Sequence, residues 1–432
     1  MQVFPKPVAL VLFVTLGALV GARGVVPAMS RLTSDFPSYF TAAKIVAEGG
    51  DVGRLYDIPW FQEQMRRYQV GEPSLGKFAP FPPPTALLLV PLTPLAPLDA
   101  LRVMTGLSVL CLLGSILLLA RTLAWGTLDA AVFVLLSGWG ILSVLRLGQP
   151  YIVVSGFCIL GYYAYLRGRP WVAGACLGLF APIKYFPLAI LTCLAFRRNW
   201  RLLTAAMLTI LAVTVLSIAV LGFRIHVQFL TSILGNHLIA KLSMQDPFSV
   251  GFQSFDTLFR RLFVFDATAN PHPWVAAPWL STAALLLTKA GILVVALATL
   301  VRLVRTRGPI ATGPAVGLVG IMTLLLAPAS ASYHLLLLWL PVGLLVDFFL
   351  RERALTSAYL VLASYALLGL FPYWLVPPFE GRGGLSVLAY PRLFLLLAMF
   401  AACVHGLWTR AQAPHGTGAD ALVGTLTAQS PR

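Results

Sequence analysis

Residues 202–222 read LLTAAMLTILAVTVLSIAVLG, an uncharged run preceded by Arg197, Arg198 and Arg201. A bilayer core about 30 Å thick is crossed by roughly 20 apolar residues rising about 1.5 Å each, so this run is long enough to span it. Similar runs recur along the chain near Val8–Val26, Ala100–Ala120, Asp129–Leu147, Ile152–Leu166, Trp171–Ile183, Phe186–Phe196, Trp279–Val301, Pro314–Ala327, Leu335–Leu350, Leu355–Phe371 and Val387–Leu407. Hydrophobic residues make up 59% of the 432 and charged ones only 11%, against about 25% charged in soluble domains. The reading is an all-α polytopic membrane protein of about 12 spans.

The formal charge of +16 would suggest nucleic acid in a soluble chain. Here Lys and Arg sit mostly in short clusters between apolar runs, which fits positive-inside topology and anionic headgroups instead. The five cysteines (Cys111, Cys158, Cys176, Cys193, Cys403) lie in or beside apolar segments with no CxxC pair and no metal-ligand spacing, so neither a disulfide framework nor a zinc site is expected. Lys6 and the run from Val8 to Val20 resemble a signal peptide, but the many later spans favour an uncleaved first helix.

Arginine clusters orient the spans. Arg167 with Arg169, Arg197–Arg201, Arg302–Arg307 and Arg351 with Arg353 each lie in a short loop and are assigned to the cytoplasm. Only 27 residues separate Arg169 from Arg197. The chain must therefore go out and return in two helices of roughly 13 residues, about 20 Å each, meeting at Lys184-Tyr185-Phe186-Pro187, where proline favours a break. Both termini then fall inside, and two long segments, about 27–97 and 223–278, fall outside. Within the first, Phe36, Phe40, Ala43 and Ala47 share one face of a helix near Pro37–Glu48, as expected for a helix lying in the membrane interface. The proline-broken run to Pro97 reads as a re-entrant or surface-lying piece. No internal repeat is visible. The chain reads as one membrane domain, 1–408, followed by a Gly/Ala/Thr-rich tail, 409–432, expected to be disordered and cytoplasmic.

Under this topology Asp35, Gln149, Lys184 and His334 all fall at the outer ends of different spans. Polar groups at membrane depth are costly, so their gathering on one face suggests a shared site. Each also has a plain reading. Asp35 is either an acidic helix start, with Pro37 at the first helical position, or a general base for an acceptor hydroxyl. Lys184 is either a snorkelling turn lysine or a compact charge for a phosphate oxygen. His334 either caps a span or meets a sugar or phosphate, as a neutral hydrogen-bonding ring or a protonated one. Gln149, in Gly148-Gln149-Pro150, either satisfies a helix end or positions a ligand.

The ordered set Asp35-Phe36, Tyr39, Ala42-Ala43, Leu55-Tyr56, Pro82-Pro83 with Pro91-Leu92, Gly148-Gln149, Ile183-Lys184 with Pro187, and Pro328 to His334 resembles the polyprenol-phosphate-mannose-dependent alpha-mannosyltransferase family, a branch of the GT-C membrane glycosyltransferases. The resemblance runs from about Ser34 to His334. It implies a GT-C-like bundle in which an acid of the first outer loop, Asp35 here, is the catalytic base. It also implies donor phosphate or sugar contacts at Lys184, His334, Gln149, Tyr39, Tyr56 and Gln253. Two positions depart from the family pattern: Tyr151 stands where asparagine is usual, and Phe252-Gln253-Ser254 replaces an Asn-Gln-Ser-like element. The implied enzyme takes a polyprenyl-phosphate sugar, mannose first, and delivers it with inversion to a lipid-linked or envelope glycan acceptor. It would work in the cell (inner) membrane, on the non-cytoplasmic side, with no cofactor or metal and no nucleic-acid partner. Two other readings stay open: a transporter or flippase of lipid-linked sugars using the same polar groups, and an inactive scaffold of the same fold.

Overall fold

The structure, a computed structural model, describes residues 2–33, 35–238 and 246–410, without the side chains at 309, 310, 374 and 410. The described residues form helices and short 3-10 or π turns, and no strand is present among them. Six helices are long and apolar enough to cross a membrane: Lys6–Ala28, Pro97–Leu123, Trp200–Leu221, Pro278–Arg307, Ser332–Arg351 and Pro391–Thr409. The chain is an integral membrane protein. Much of the expected tail, from residue 411 onward, lies outside the described residues.

The other expected spans are shorter. Tyr151–Leu166, Thr312–Leu326 and Leu355–Leu370 have 15 to 16 residues, and Pro170–Phe180 and Phe186–Ala195 have 11 and 10. At about 1.5 Å per residue the last two rise only about 15–17 Å, as the spacing of the arginine clusters requires. Their turn starts at Ala181, before the expected Lys184: Pro182 lies in it, and Pro187 sits in the first turn of the second helix, where its missing N–H has no role.

The single span expected over Asp129–Leu147 is instead two helices, Thr127–Leu135 and Gly138–Leu147, bent by 70°. Two other helices meet the break: a Cβ added at Gly369 of the Leu355–Leu370 helix would collide with the Leu136 carbonyl, and Trp339 Nε1 of the 332–351 span donates to Ser137 Oγ at 3.0 Å. Apolarity alone reads both halves as one run; the bend is made by packing.

Burial separates lipid-facing from central helices. Leu208, Leu211, Val215 and Leu216 of the 200–221 helix are exposed, as are Leu286, Leu287 and Val294 of the 278–307 helix. A helix apolar all round that is left uncovered by protein faces lipid. The 332–351 helix, by contrast, is largely enclosed, with Trp339, Val342, Leu345 and Phe349 fully buried. It also measures the bundle. His334 lies at one end, and at the other Arg351 donates to the Leu123 carbonyl and Arg307 pairs with Glu352 at 3.1 Å. Two of the arginine clusters therefore meet at the end opposite His334.

The first long segment is folded rather than draped on the surface. Asp35–Ala47 is a helix, but Phe36 through Ala43 are all buried along with Ile45, so it is enclosed on nearly every side. The expectation of an interfacial helix fails because two clusters cover it: Phe36, Phe40 and Ala43 meet Leu101 and Leu89, while Ala42 and Ile45 meet Phe61, Phe78 and Ile225. The sequence reading also missed the helix Ile58–Arg67, capped by Asp57 accepting from Trp60 N–H. The proline-broken run forms 3-10 turns at Pro83–Leu87 and Val90–Leu92, with Pro83 and Pro84 buried beneath the first helix of the segment.

Candidate active site

The site begins with a glycine. Gly148 ends the 138–147 helix at φ +63°, a left-handed conformation that glycine adopts without penalty. A Cβ there would stand 2.6 Å from Phe36 Cβ, so only glycine lets the 35–47 helix start against this turn. That contact brings Asp35 beside Gln149 although 114 residues separate them. Gln149 Nε2 donates to Asp35 Oδ2 at 2.8 Å, and Gln149 Oε1 accepts from Tyr39 Oη at 2.6 Å. The buried glutamine thus grips two residues one helical turn apart, and Asp35 is held as a hydrogen-bond acceptor.

Lys184 arrives from the turn between the two short helices. The helix before it is set by small residues: a Cβ at Gly174 would collide with the Leu202 carbonyl, and one at Gly178 would lie 2.6 Å from the Ala206 carbonyl. This close glycine packing, typical of helices in membranes, fixes the height of the turn. Lys184 Nζ reaches Tyr39 Oη at 3.4 Å and stands 4.7 Å from the ring centre of Tyr151 and 5.0 Å from that of Phe81. Aromatic faces favour the charged ammonium. Burial opposes them and pulls Lys184 down to about 8, with the Asp35 carboxylate pushing back.

His334 lies in the 3-10 turn Ser332–Leu338 that opens the central span. Its Nδ1 accepts from Ala331 N–H at 3.0 Å, which leaves the Nε2 of a neutral ring to carry the proton toward Tyr151 Oη, 2.9 Å away. A protonated ring would set an Nδ1 proton against that amide, so the geometry favours the neutral of the two readings. Tyr151, the departure from the expected asparagine, is built into this cluster: it stacks on Tyr333, bonds His334 and underlies Lys184.

Asp35, Gln149, Lys184 and His334 line one cavity of about 430 Å³. The four residues singled out by one-sidedness are thus brought together. The same cavity is lined by Tyr151 and Tyr333, and by Lys77 and His237, which the sequence reading gave no role, since isolated residues in long segments carry no pattern. Burial lowers Lys77 as well, and Asp35 opposes the shift.

Three other expected site residues stand back from this lining. Tyr39 stacks on Phe81 at 4.4 Å and presents its hydroxyl to Gln149 and Lys184. Tyr56 donates to the Phe81 carbonyl at 2.7 Å within a cluster that includes Phe78 and Phe229, so it braces the wall. Gln253 is buried with its side chain spent on backbone: Nε2 donates to the Val250 and Ala389 carbonyls, and Oε1 accepts from Arg392 N–H. Direct sugar or phosphate contact at Tyr56 and Gln253 is not what their placement provides. With Gln253 N–H donating to the Ser330 carbonyl and Ser254 Oγ to that of Pro328, the second long segment acts as a strut for the turn carrying His334. Among the described residues, no group of three His, Cys, Asp or Glu side chains gathers as a metal site would require.

No curated protein and no solved structure matches the chain. The model of glycosyltransferase family 87 matches residues 78–328. That stretch includes Gln149, Tyr151, Lys184 and Gln253 and leaves Asp35 and His334 outside it. It covers more than half of the 432 residues, and the chain belongs to glycosyltransferase family 87.

Proposed function

We propose that the protein transfers a sugar, mannose first, from a polyprenyl-phosphate donor to a lipid-linked or envelope glycan acceptor, with inversion at the anomeric carbon. The single observation that carries this reading is the convergence of a carboxylate, Asp35, and a lysine, Lys184, on one cavity. A family of glycosyltransferases needs a sugar donor and an acceptor, and this cavity offers a proton acceptor and a cation to divide between them. An apolar polyprenyl tail would lie in the bilayer, which accounts for a transferase embedded in it.

In the proposed reaction Asp35 takes the proton from an acceptor hydroxyl as its oxygen attacks the anomeric carbon. The bond from that carbon to the donor phosphate oxygen breaks, and the electron pair leaves with the phosphate. Lys184 holds the phosphate as its charge grows, and Tyr151, whose oxygen accepts from the neutral His334, keeps its hydroxyl proton for a hydrogen bond to a sugar or phosphate oxygen. Gln149 orients Asp35. The transporter reading lacks a comparable observation, since the family assignment is to transferases.

The test is incubation of the purified protein with labelled polyprenyl-phosphate mannose and total membrane lipid, followed by product identification. Formation of a mannosylated lipid or glycan with inverted configuration is expected. A donor left intact, or one carried across vesicle membranes without transfer, would defeat the proposal.

A further inference from the structure

Three helices lead from the cavity to one patch of arginines. Tyr151 begins the Tyr151–Leu166 helix at the cavity, and Arg167 and Arg169 follow its far end. The Pro170–Phe180 helix returns to the turn of Lys184, and the Phe186–Ala195 helix leaves that turn for Arg197, Arg198 and Arg201. The Pro170–Phe180 and Trp200–Leu221 helices lie side by side in the same direction: Gly174 meets Leu202 and Ala205, and Gly178 meets Ala206 and Thr209. Contacts that advance together along both helices put their starts level. Arginine clusters from two separate loops therefore stand side by side, at the end away from the cavity.

This patch is uncompensated. No aspartate or glutamate occurs between Asp129 and Asp246. Arg167, Arg169, Arg197, Arg198 and Arg201 are all exposed, and among the described residues none of their guanidinium groups has an acidic partner or a hydrogen bond. Arg167 lies over the Tyr163 ring, at 5.9 Å from its centre. The arginine clusters elsewhere are partly neutralised within the chain, Arg307 by Glu352 at 3.1 Å and Arg351 by Asp347 at 2.7 Å. Charge that the chain neutralises in one place and leaves open in another points to an outside anion at the second.

The same two loops expose Trp171, Phe196 and Trp200, by 53%, 77% and 69%. Tryptophan is enriched where hydrocarbon meets headgroups, and further along the 200–221 helix Met207, Leu208 and Leu211 are exposed as lipid-facing residues are. The arginines thus stand at headgroup level, where guanidinium meets phosphate through parallel hydrogen bonds and anionic leaflets attract basic side chains. A soluble acidic partner would account for the arginines but not for the three aromatic side chains among them. A membrane surface accounts for both.

We infer that Arg167, Arg169, Arg197, Arg198 and Arg201 form a binding site for the headgroup of an anionic phospholipid of the surrounding bilayer, held between the two loops. The site lies away from the cavity, so the inference does not depend on the transferase reading.

The experiment titrates the purified full chain, in uncharged detergent, with fluorescent phosphatidylglycerol and with fluorescent phosphatidylcholine. The phosphatidylglycerol titration is repeated with added inorganic phosphate, with polyglutamate and at rising salt. One variant combines Arg167→Gln with Arg169→Gln, and a second combines Arg197→Gln, Arg198→Gln and Arg201→Gln. A third replaces all five arginines by lysine, and Arg305→Gln with Arg353→Gln serves as a control from other loops. Wild type should prefer phosphatidylglycerol, and salt should weaken that preference. Each glutamine set should weaken phosphatidylglycerol binding by about tenfold or more and leave phosphatidylcholine binding as it was. The lysine set and the control should keep the preference. Equal affinity of wild type for the two lipids, wild-type affinity in the glutamine sets, or an equal loss in the control overturns the site. Displacement of phosphatidylglycerol by inorganic phosphate or by polyglutamate overturns the lipid as its occupant, in favour of a free anion or an acidic protein. Should the glutamine sets fail to insert, the lysine set decides: a folded lysine set without preference for phosphatidylglycerol overturns the inference, and one that keeps it, weakened by salt, supports it.

Discussion

Gln149 donates a 2.8 Å hydrogen bond to Asp35 while accepting one from Tyr39, so one buried amide orients the candidate base and fixes the residue that touches Lys184. The carboxylate and the cation of the site are joined through this side chain.

Asp35→Asn keeps the shape of the residue and removes its capacity to take a proton. Donor binding should survive while transfer falls by about 10²–10⁴. Were Asp35 only an acidic helix start, the change would cost at most about 1 kcal/mol of stability and leave turnover near normal. Single-turnover assays on correctly inserted protein separate the two.

Gln149→Leu should leave the buried Tyr39 hydroxyl without its acceptor and remove one hydrogen-bond donor to Asp35. An unmade buried hydrogen bond costs about 1–3 kcal/mol, so thermal stability should drop measurably and kcat should fall more than donor affinity. Unchanged kcat in a folded variant would remove Gln149 from the orientation of the base.

Lys184 carries its charge below about 8 and loses it as pH rises through that value. Its folded-state value lies below the usual lysine range, so the charged form weakens where an exposed lysine would still be ionised. Donor affinity should therefore decline between about pH 7 and 9, measured by equilibrium binding. Lys184→Arg, which stays charged, should flatten that decline, and a wild-type profile flat to pH 9 would return Lys184 to the role of a turn lysine.

The orientation of the bundle is open to direct chemical labelling. In a background without the five native cysteines, Tyr185→Cys should react with an impermeant thiol reagent from outside the cell and Arg198→Cys should not; both positions are exposed. Labelling of the second alone would invert the topology.

Much of this was legible in the chain. The spans announced themselves as uncharged runs, and the close spacing of Arg169 and Arg197 forced two short helices with Lys184 at their turn. What stayed hidden depends on contacts between distant segments. The break at Ser137 follows from the approach of Gly369, and no local signal separates the two halves of that run. The 35–47 helix shows one apolar face in its sequence, yet neighbours from residues 89–101 and 221–233 cover its other sides as well.

By itself the sequence determined that the chain is helical, embedded and gathered toward one polar face, because the bilayer penalises every charge and every unpaired backbone group at its core. Only the tertiary structure decided that Gln149 reaches Asp35, that Tyr151 joins His334 to Lys184, and that Gln253 is a strut. The hydrogen bonds among these contacts join segments more than a hundred residues apart at about 3 Å, and hydrogen bonding at that range is a property of packing, which no periodicity encodes.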